Sequence, residues 1–147
     1  MPALERYAMK EPFKYTFRVR YAEVDPQAVV FNSRYLEYAD IMVTEFFRDA
    51  RSRGMPEDLE FHVRRAEVDY LAPMRVDELI EGRISIPRIG NSSMEQHITL
   101  HGADDDSLRA EIRLVAVMVD LPTGKPERIP DSARAAFGHP VTENVDG

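Results

Sequence analysis

Residues 21–40 read YAEVDPQAVVFNSRYLEYAD, and the punctuation of this stretch decides the fold. Asp25 is followed at once by Pro26, a pair that opens a turn. The apolar triplet Val29, Val30 and Phe31 comes next, and Asn32 and Ser33 then begin a segment with helical spacing. Either of those two polar residues is expected to cap the helix. Tyr35, Ala39, Met42, Phe46 and Ala50 recur at steps of four, three, four and four, with Leu36, Val43 and Phe47 alongside. The spacing predicts an amphipathic helix over 33–51 whose broad apolar face must lie on something large, ended by Gly54 and Pro56.

On either side the period changes from helical to alternating. Residues 13–21 put Phe13, Tyr15, Phe17, Val19 and Tyr21 on one face and Lys14, Thr16, Arg18 and Arg20 on the other, the pattern of a half-buried strand. Four further strands are expected at 61–71, 78–87, 93–101 and 108–120, with turns at Ala72-Pro73, Ile89-Gly90-Asn91 and Gly102 to Asp106. The second half of the last strand is apolar on both faces and is expected to be buried on both. Short turns favour antiparallel neighbours. The expected fold is therefore α+β, one long helix on a five-stranded antiparallel sheet. Open sheet edges favour a second copy joining edge to edge.

The 147 residues make a single domain, 1–147, with its core from about 13 to 130, a loose arm at 1–12 and a polar, loosely held tail at 131–147. A net charge of −7 argues against a nucleic-acid partner. The longest apolar run, Leu114 to Val119, is far too short to span a membrane. The start, MPALERYAMKEPF, lacks a secretory h-region, and a cytoplasmic location is expected. The absence of cysteine excludes a thiol nucleophile and thiolate metal sites. His97 and His101 are four apart, which on a strand is about 13 Å, too far for a shared metal. No metal or redox cofactor is expected.

Asp25 stands out among the polar residues. Asp-Pro is an ordinary turn opener, but this turn feeds apolar residues and then a helix start, whose free N–H groups and positive dipole end favour an anion or a polarised oxygen. A carboxylate beside such an end resembles half of an acyl-transfer site. Asp40, between Leu36 and Val43, borders the buried side of the helix and could order the turn or pair with an arginine, although an ordinary flank carboxylate is the better reading. Glu37 and Glu45 are expected to be solvated. Phe31, Tyr35, Tyr38, Phe46 and Phe47 could line an aromatic pocket, and core packing accounts for them as well.

The opening stretch resembles the entry segment of the hotdog-fold acyl-CoA thioesterases of the 4-hydroxybenzoyl-CoA thioesterase type, whose pattern is a strand, D-x-x-G-x-V-[FY]-x-x-x-Y and the long helix. Asp25, Val30, Phe31 and Tyr35 match it. RRAEVDYLAPMRVDELIEGRISIPRIGNSS is similar to the family's second and third strands, and AVMVDLPTGKPERIP to its last strand and exit. The resemblance implies a hotdog fold and hydrolysis of an acyl-CoA thioester, with CoA as part of the substrate rather than a cofactor. It implies Asp25 as nucleophile or general base, and the backbone amides of Asn32 and Ser33 as the groups that polarise the carbonyl. It further implies a homodimer or homotetramer with active sites at the interface. The substrate-binding positions carried over are Tyr35, the lining stretch Arg64, Arg65 and Ala66, and the turn with Arg88, Asn91, Ser92 and Ser93 that meets the CoA phosphates.

Two positions depart from the pattern. Ala28 replaces the family glycine, which carries strain if that position needs positive φ. Asn32 stands where relatives often have histidine or tyrosine, so any proton transfer by that side chain is missing. A non-catalytic acyl-CoA-binding protein and a hydratase or dehydratase of related fold are the alternatives. The first would not need a carboxylate at position 25. The second would use a histidine–carboxylate pair, and residues 21–40 contain no histidine.

Overall fold

The computed structural model describes residues 11–141, so most of the expected arm and the last residues of the tail lie outside the described residues. The elements are β1 (Phe13–Arg18), short 3-10 turns at Tyr21–Glu23 and Asn32–Arg34, and α1 (Tyr35–Ser52). They are followed by β2 (Phe61–Tyr70), β3 (Leu79–Ile89), β4 (Ser93–Gly102), β5 (Leu108–Met118) and a short α2 (Asp131–Ala136). The sheet order is β1-β3-β4-β5-β2, every neighbour antiparallel, and α1 lies along one face. No helix among the described residues is long and apolar enough to cross a membrane.

Alternation assigns the faces. Ile80, Ile84 and Ile86 of β3, Met94, Ile98 and Leu100 of β4, and Ala110, Ile112, Leu114, Ala116 and Met118 of β5 are buried towards α1. The helix answers with Tyr35, Tyr38, Ala39, Met42, Phe46 and Ala50, all buried at its four-and-three spacing. Each large side chain so buried contributes roughly 1.5–3 kcal/mol. The helix approaches most closely at Gly82, where a Cβ would lie 2.2 Å from the Met42 Sδ. At the far end of α1 the rings of Phe46, Phe47, Phe61 and Phe137 pack with centroid separations from 5.4 to 6.3 Å.

Several expectations fail for local reasons. β1 stops at Arg18 because the chain turns into the 3-10 turn, leaving Tyr21 86% exposed. Leu36 is also exposed. The outer face of β5 is only half-buried at Val115 and Val117, because none of the described elements covers that side of the sheet. It carries polar pairs instead, including the His97–Glu111 hydrogen bond at 2.6 Å and the Arg113–Glu111 ion pair at 3.0 Å. The stretch from residue 131 is not uniformly loose: α2 forms there, and Ala133, Ala136 and Phe137 belong to the core.

The Pro73–Glu78 loop between β2 and β3 is clamped from β5. Arg109, 8% exposed, donates through Nη1 to Glu78 Oε1 at 2.8 Å and to the Pro73 carbonyl at 3.0 Å, and through Nη2 to Glu78 Oε2. Gly102 leaves room for this, since a Cβ there would lie 2.6 Å from Arg109 Nη2. The hydrogen bonds from Arg109 outweigh burial and hold the Glu78 carboxyl below its ordinary pKa of 4.5. A depressed folded-state pKa contributes stability that is complete above the unfolded value and is lost as pH falls through the folded one. Arg109→Met strands the Glu78 charge, at a cost of about 3 kcal/mol, or roughly 6–12 °C in melting midpoint for a chain of this size. Thermal melts of both proteins should show that gap at pH 7 and a narrowing gap below the ordinary carboxylate range.

Candidate active site

The turn at Asp25 is a three-residue hairpin loop. The Asp25 amide donates to the Val29 carbonyl at 2.9 Å, and the Ala28 amide returns to the Asp25 carbonyl at 2.8 Å. Val24 and Val30 form an antiparallel bridge behind it. This geometry is a tight turn followed by a left-handed residue, a position that normally takes glycine. Ala28 occupies it with φ of 65°. The side chain of Asp25 closes the same loop: Oδ1 accepts from the Gln27 amide at 2.8 Å and the Val29 amide at 3.3 Å. Its second oxygen has no hydrogen-bond partner among the described residues.

Three attachments fix the loop in the fold. The Val30 amide donates to the Met74 carbonyl at 2.9 Å, and the Val76 amide to the Ala28 carbonyl at 3.2 Å, so the loop hangs from the segment that Arg109 clamps. On the other side, the Phe31 amide reaches the Glu23 carbonyl at 3.2 Å. Glu23 itself is 3% exposed and accepts from the Tyr38 hydroxyl at 2.9 Å and from the Arg20 amide and guanidinium at 2.8 and 2.9 Å. Burial alone would raise its pKa, but these bonds outweigh burial and hold it below its ordinary value. Burial and the bond to Glu23 push the Tyr38 hydroxyl far up, so it stays a donor.

Asn32 and Ser33 do not cap α1 with their side chains. They form a 3-10 turn in which the Arg34 amide donates to the Phe31 carbonyl at 3.0 Å and the Tyr35 amide to the Asn32 carbonyl, and no side-chain cap bond is made. Tight i-to-i+3 bonds have taken the place of the cap. Both residues are exposed, and their own amides find no acceptor among the described residues. The result is a fixed carboxylate with a free oxygen and, seven residues on, a helix start with free N–H groups. Such a pair can attack or activate water at a carbonyl carbon while stabilising charge on its oxygen.

The other positions named from sequence scatter. Tyr35 lies at this end but is only 3% exposed, its ring edge-on to Tyr38 and Tyr70 at 6.1 and 4.9 Å. Asp40 is exposed, and Glu45 is half-buried against Arg48. Arg64, Arg65 and Ala66 are exposed on the edge strand β2, Arg64 at a bulge and Arg65 paired with Glu67 at 2.9 Å. Arg88, which faces Glu95 at 3.7 Å, begins the turn with Asn91, Ser92 and Ser93 at the opposite end of β3. At about 3.3 Å per strand residue this is about 30 Å from the Asp25 loop within one chain. A groove of about 690 Å³ lined by Phe13, Phe46, Ile84, Ile86 and Phe137 also lies at that far end and does not reach Asp25. Glu23, Tyr70 and Arg109 are not singled out from sequence, where their only signal is position, flanking the Asp25, Ala72-Pro73 and Gly102–Asp106 turns respectively.

The shape of the chain is that of the hotdog thioesterases. A probable thioesterase from Bartonella henselae superposes with a TM-score of 0.72 at 26% identity, over 82% of this chain and 100% of that one. A Thermus thermophilus thioesterase solved with coenzyme A and Zn superposes with a TM-score of 0.75 at 24% identity, over 87% and 98%. The acyl-CoA thioester hydrolase YbgC of Escherichia coli O6:H1 is 29% identical over 128 residues, 85% of this chain and 95% of that protein. The family described as thioesterase-like superfamily matches residues 19–137, and the chain belongs to it.

The left-handed alanine yields a direct test. A non-glycine residue in this region costs roughly 1–2 kcal/mol, partly offset by the extra freedom glycine adds to the unfolded chain. Ala28→Gly should therefore raise the melting midpoint by about 2–4 °C, the shift expected for a net gain of about 1 kcal/mol. An unchanged or lower midpoint would show that the loop carries no such strain.

Proposed function

We infer that the protein hydrolyses an acyl-CoA thioester, adding water across the C–S bond to release a free acid and CoA. The observation that carries this reading is the Asp25 carboxylate, with one oxygen tied down by Gln27 and Val29 and the other free, followed seven and eight residues on by the acceptor-less amides of Asn32 and Ser33. The YbgC relative, an acyl-CoA thioester hydrolase, supports the substrate class. Asp25 acts as nucleophile or as general base towards water, and the two amides take up the charge that develops on the carbonyl oxygen. Asp25→Asn keeps the size and the turn-forming capacity while removing the charge. It should lower kcat by at least about 100-fold with a melting midpoint equal to or above wild type. A variant that melts early yet keeps its turnover per folded molecule would make Asp25 a turn residue and leave a binding role for the chain.

A second copy completes the site in this reading. β2 offers ten residues of unpaired edge, and Val63, Tyr70 and the following Leu71 are 57, 50 and 53% exposed. That is the kind of edge proteins cover by pairing. The partner's edge strand would bring its lining stretch at Arg64 to Ala66 to the Asp25 end, and its turn at Arg88 to Ser93 would meet the CoA phosphates. Light scattering should give at least twice the 16.9 kDa chain mass. Val63→Lys, which sets a charge on the edge, should shift the mass towards the monomer and lower activity in step. A fully active wild-type monomer would remove the partner from the site.

A further inference from the structure

Resting on that reading of Asp25 and the helix amides, we propose that Tyr70 positions the Ser33 amide for catalysis. Tyr70 is the last residue of β2, half-exposed, and its ring stands edge-on to Tyr35 at 4.9 Å. Its hydroxyl donates to the Asn32 carbonyl at 3.1 Å. That carbonyl and the Ser33 N–H belong to one planar peptide unit, and in a trans unit the two groups point in opposite directions. Whatever fixes the carbonyl therefore aims the amide. The Tyr35 amide also donates to the Asn32 carbonyl, so this oxygen is held by two donors, one from the helix and one from the sheet edge.

The second donor matters because the Asn32–Ser33 peptide unit itself has no other tie to the sheet. No side-chain cap holds it, and 3-10 hydrogen bonds are individually poorer than those of an α-helix. Tyr35 alone ties the peptide unit only to its own helix. Tyr70 ties it to β2, and the Leu71 and Ala72 amides that follow both donate to the Arg109 carbonyl, at 2.9 and 3.0 Å. Asp25 is referred to the same frame through Met74 and Val76. The hydroxyl thus fixes the amide relative to the carboxylate rather than merely to the helix. Orientation of this kind acts on the transition state, where the carbonyl oxygen gains charge, more than on substrate binding.

The test compares wild type, Tyr70→Phe, Tyr70→Leu and Asp25→Asn in acyl-CoA hydrolysis, with melting curves beside them. Tyr70→Phe keeps the ring against Tyr35 and removes only the hydroxyl. It should lower kcat by roughly 10- to 100-fold, the range for small misplacements of catalytic groups. KM should stay within about twofold and the melting midpoint within a few degrees of wild type, the pattern of an interaction used only in the transition state. Tyr70→Leu should lose at least as much. If Tyr70→Phe keeps the wild-type kcat while Asp25→Asn is dead, the Tyr70 role falls and the Asp25 reading stands. A raised KM with unchanged kcat would make Tyr70 a substrate contact, and an early melt would make its hydroxyl a structural anchor; either overturns the proposal. If Asp25→Asn keeps its turnover, the underlying reading fails and this one fails with it.

Discussion

The Asp25 end of the molecule depends on the pair between buried Arg109 and half-buried Glu78. β2 lies at one edge of the sheet and β3 next to the other, with β4 and β5 between them. The loop that crosses from β2 to β3 has no sheet of its own to pair with. The Arg109 guanidinium supplies the missing partner, fixing Pro73 and Glu78 at once. The loop then offers its own backbone groups to Ala28, Val30 and Val19. One side chain on an interior strand thereby fixes the register between the sheet and a turn far earlier in sequence. A buried ion pair is weak grounds for stability in general, but here its use is geometric, in line with such pairs specifying arrangement more than energy.

Most of the architecture is legible in the sequence because it rests on periodicity. The helix face is a pattern of 3.6 and the strands a pattern of two, and Tyr35, Ala39, Met42, Phe46 and Ala50 fall where the spacing puts them. What was not legible is long-range. Nothing near Leu36 says that it stays exposed, and nothing near Val115 says that no described element covers its face. The short helix at Asp131–Ala136 is too brief for a periodic signal and forms because Phe137 has three rings to join. The site divides in the same way. Asp25 and the helix start are local and were visible within one short stretch. Glu23, Tyr70 and Arg109 act through partners 15 to 38 positions away, and a strand pattern treats them as ordinary polar residues.

The turn itself combines rigidity with strain. Glu23 is a buried carboxylate satisfied by three donors, which ties the strand exit to the start of α1 through Tyr38. Two residues later, Asp25 has one oxygen satisfied and one free. The contrast separates an acid that holds the loop from an acid that is left available. Ala28 is itself one of the loop's attachment points and sits in a backbone region that alanine disfavours. Such conformations persist only where the surroundings over-determine them, and the bond from Val76 to the Ala28 carbonyl and that from Val30 to Met74 do that.

The missing helix cap has a thermodynamic side. Side-chain caps at helix starts are worth roughly 0.5–2 kcal/mol, and α1 begins without one while its far end is packed among aromatic rings. Rings pack both ends of the helix, Tyr35 and Tyr38 at this one, so what the missing cap leaves open is the set of amides in its first turn. An oxygen bound by the Asn32 and Ser33 amides would be the cap that the chain omits. Ligand and helix would then stabilise one another, since whatever binds only the ordered end favours its order.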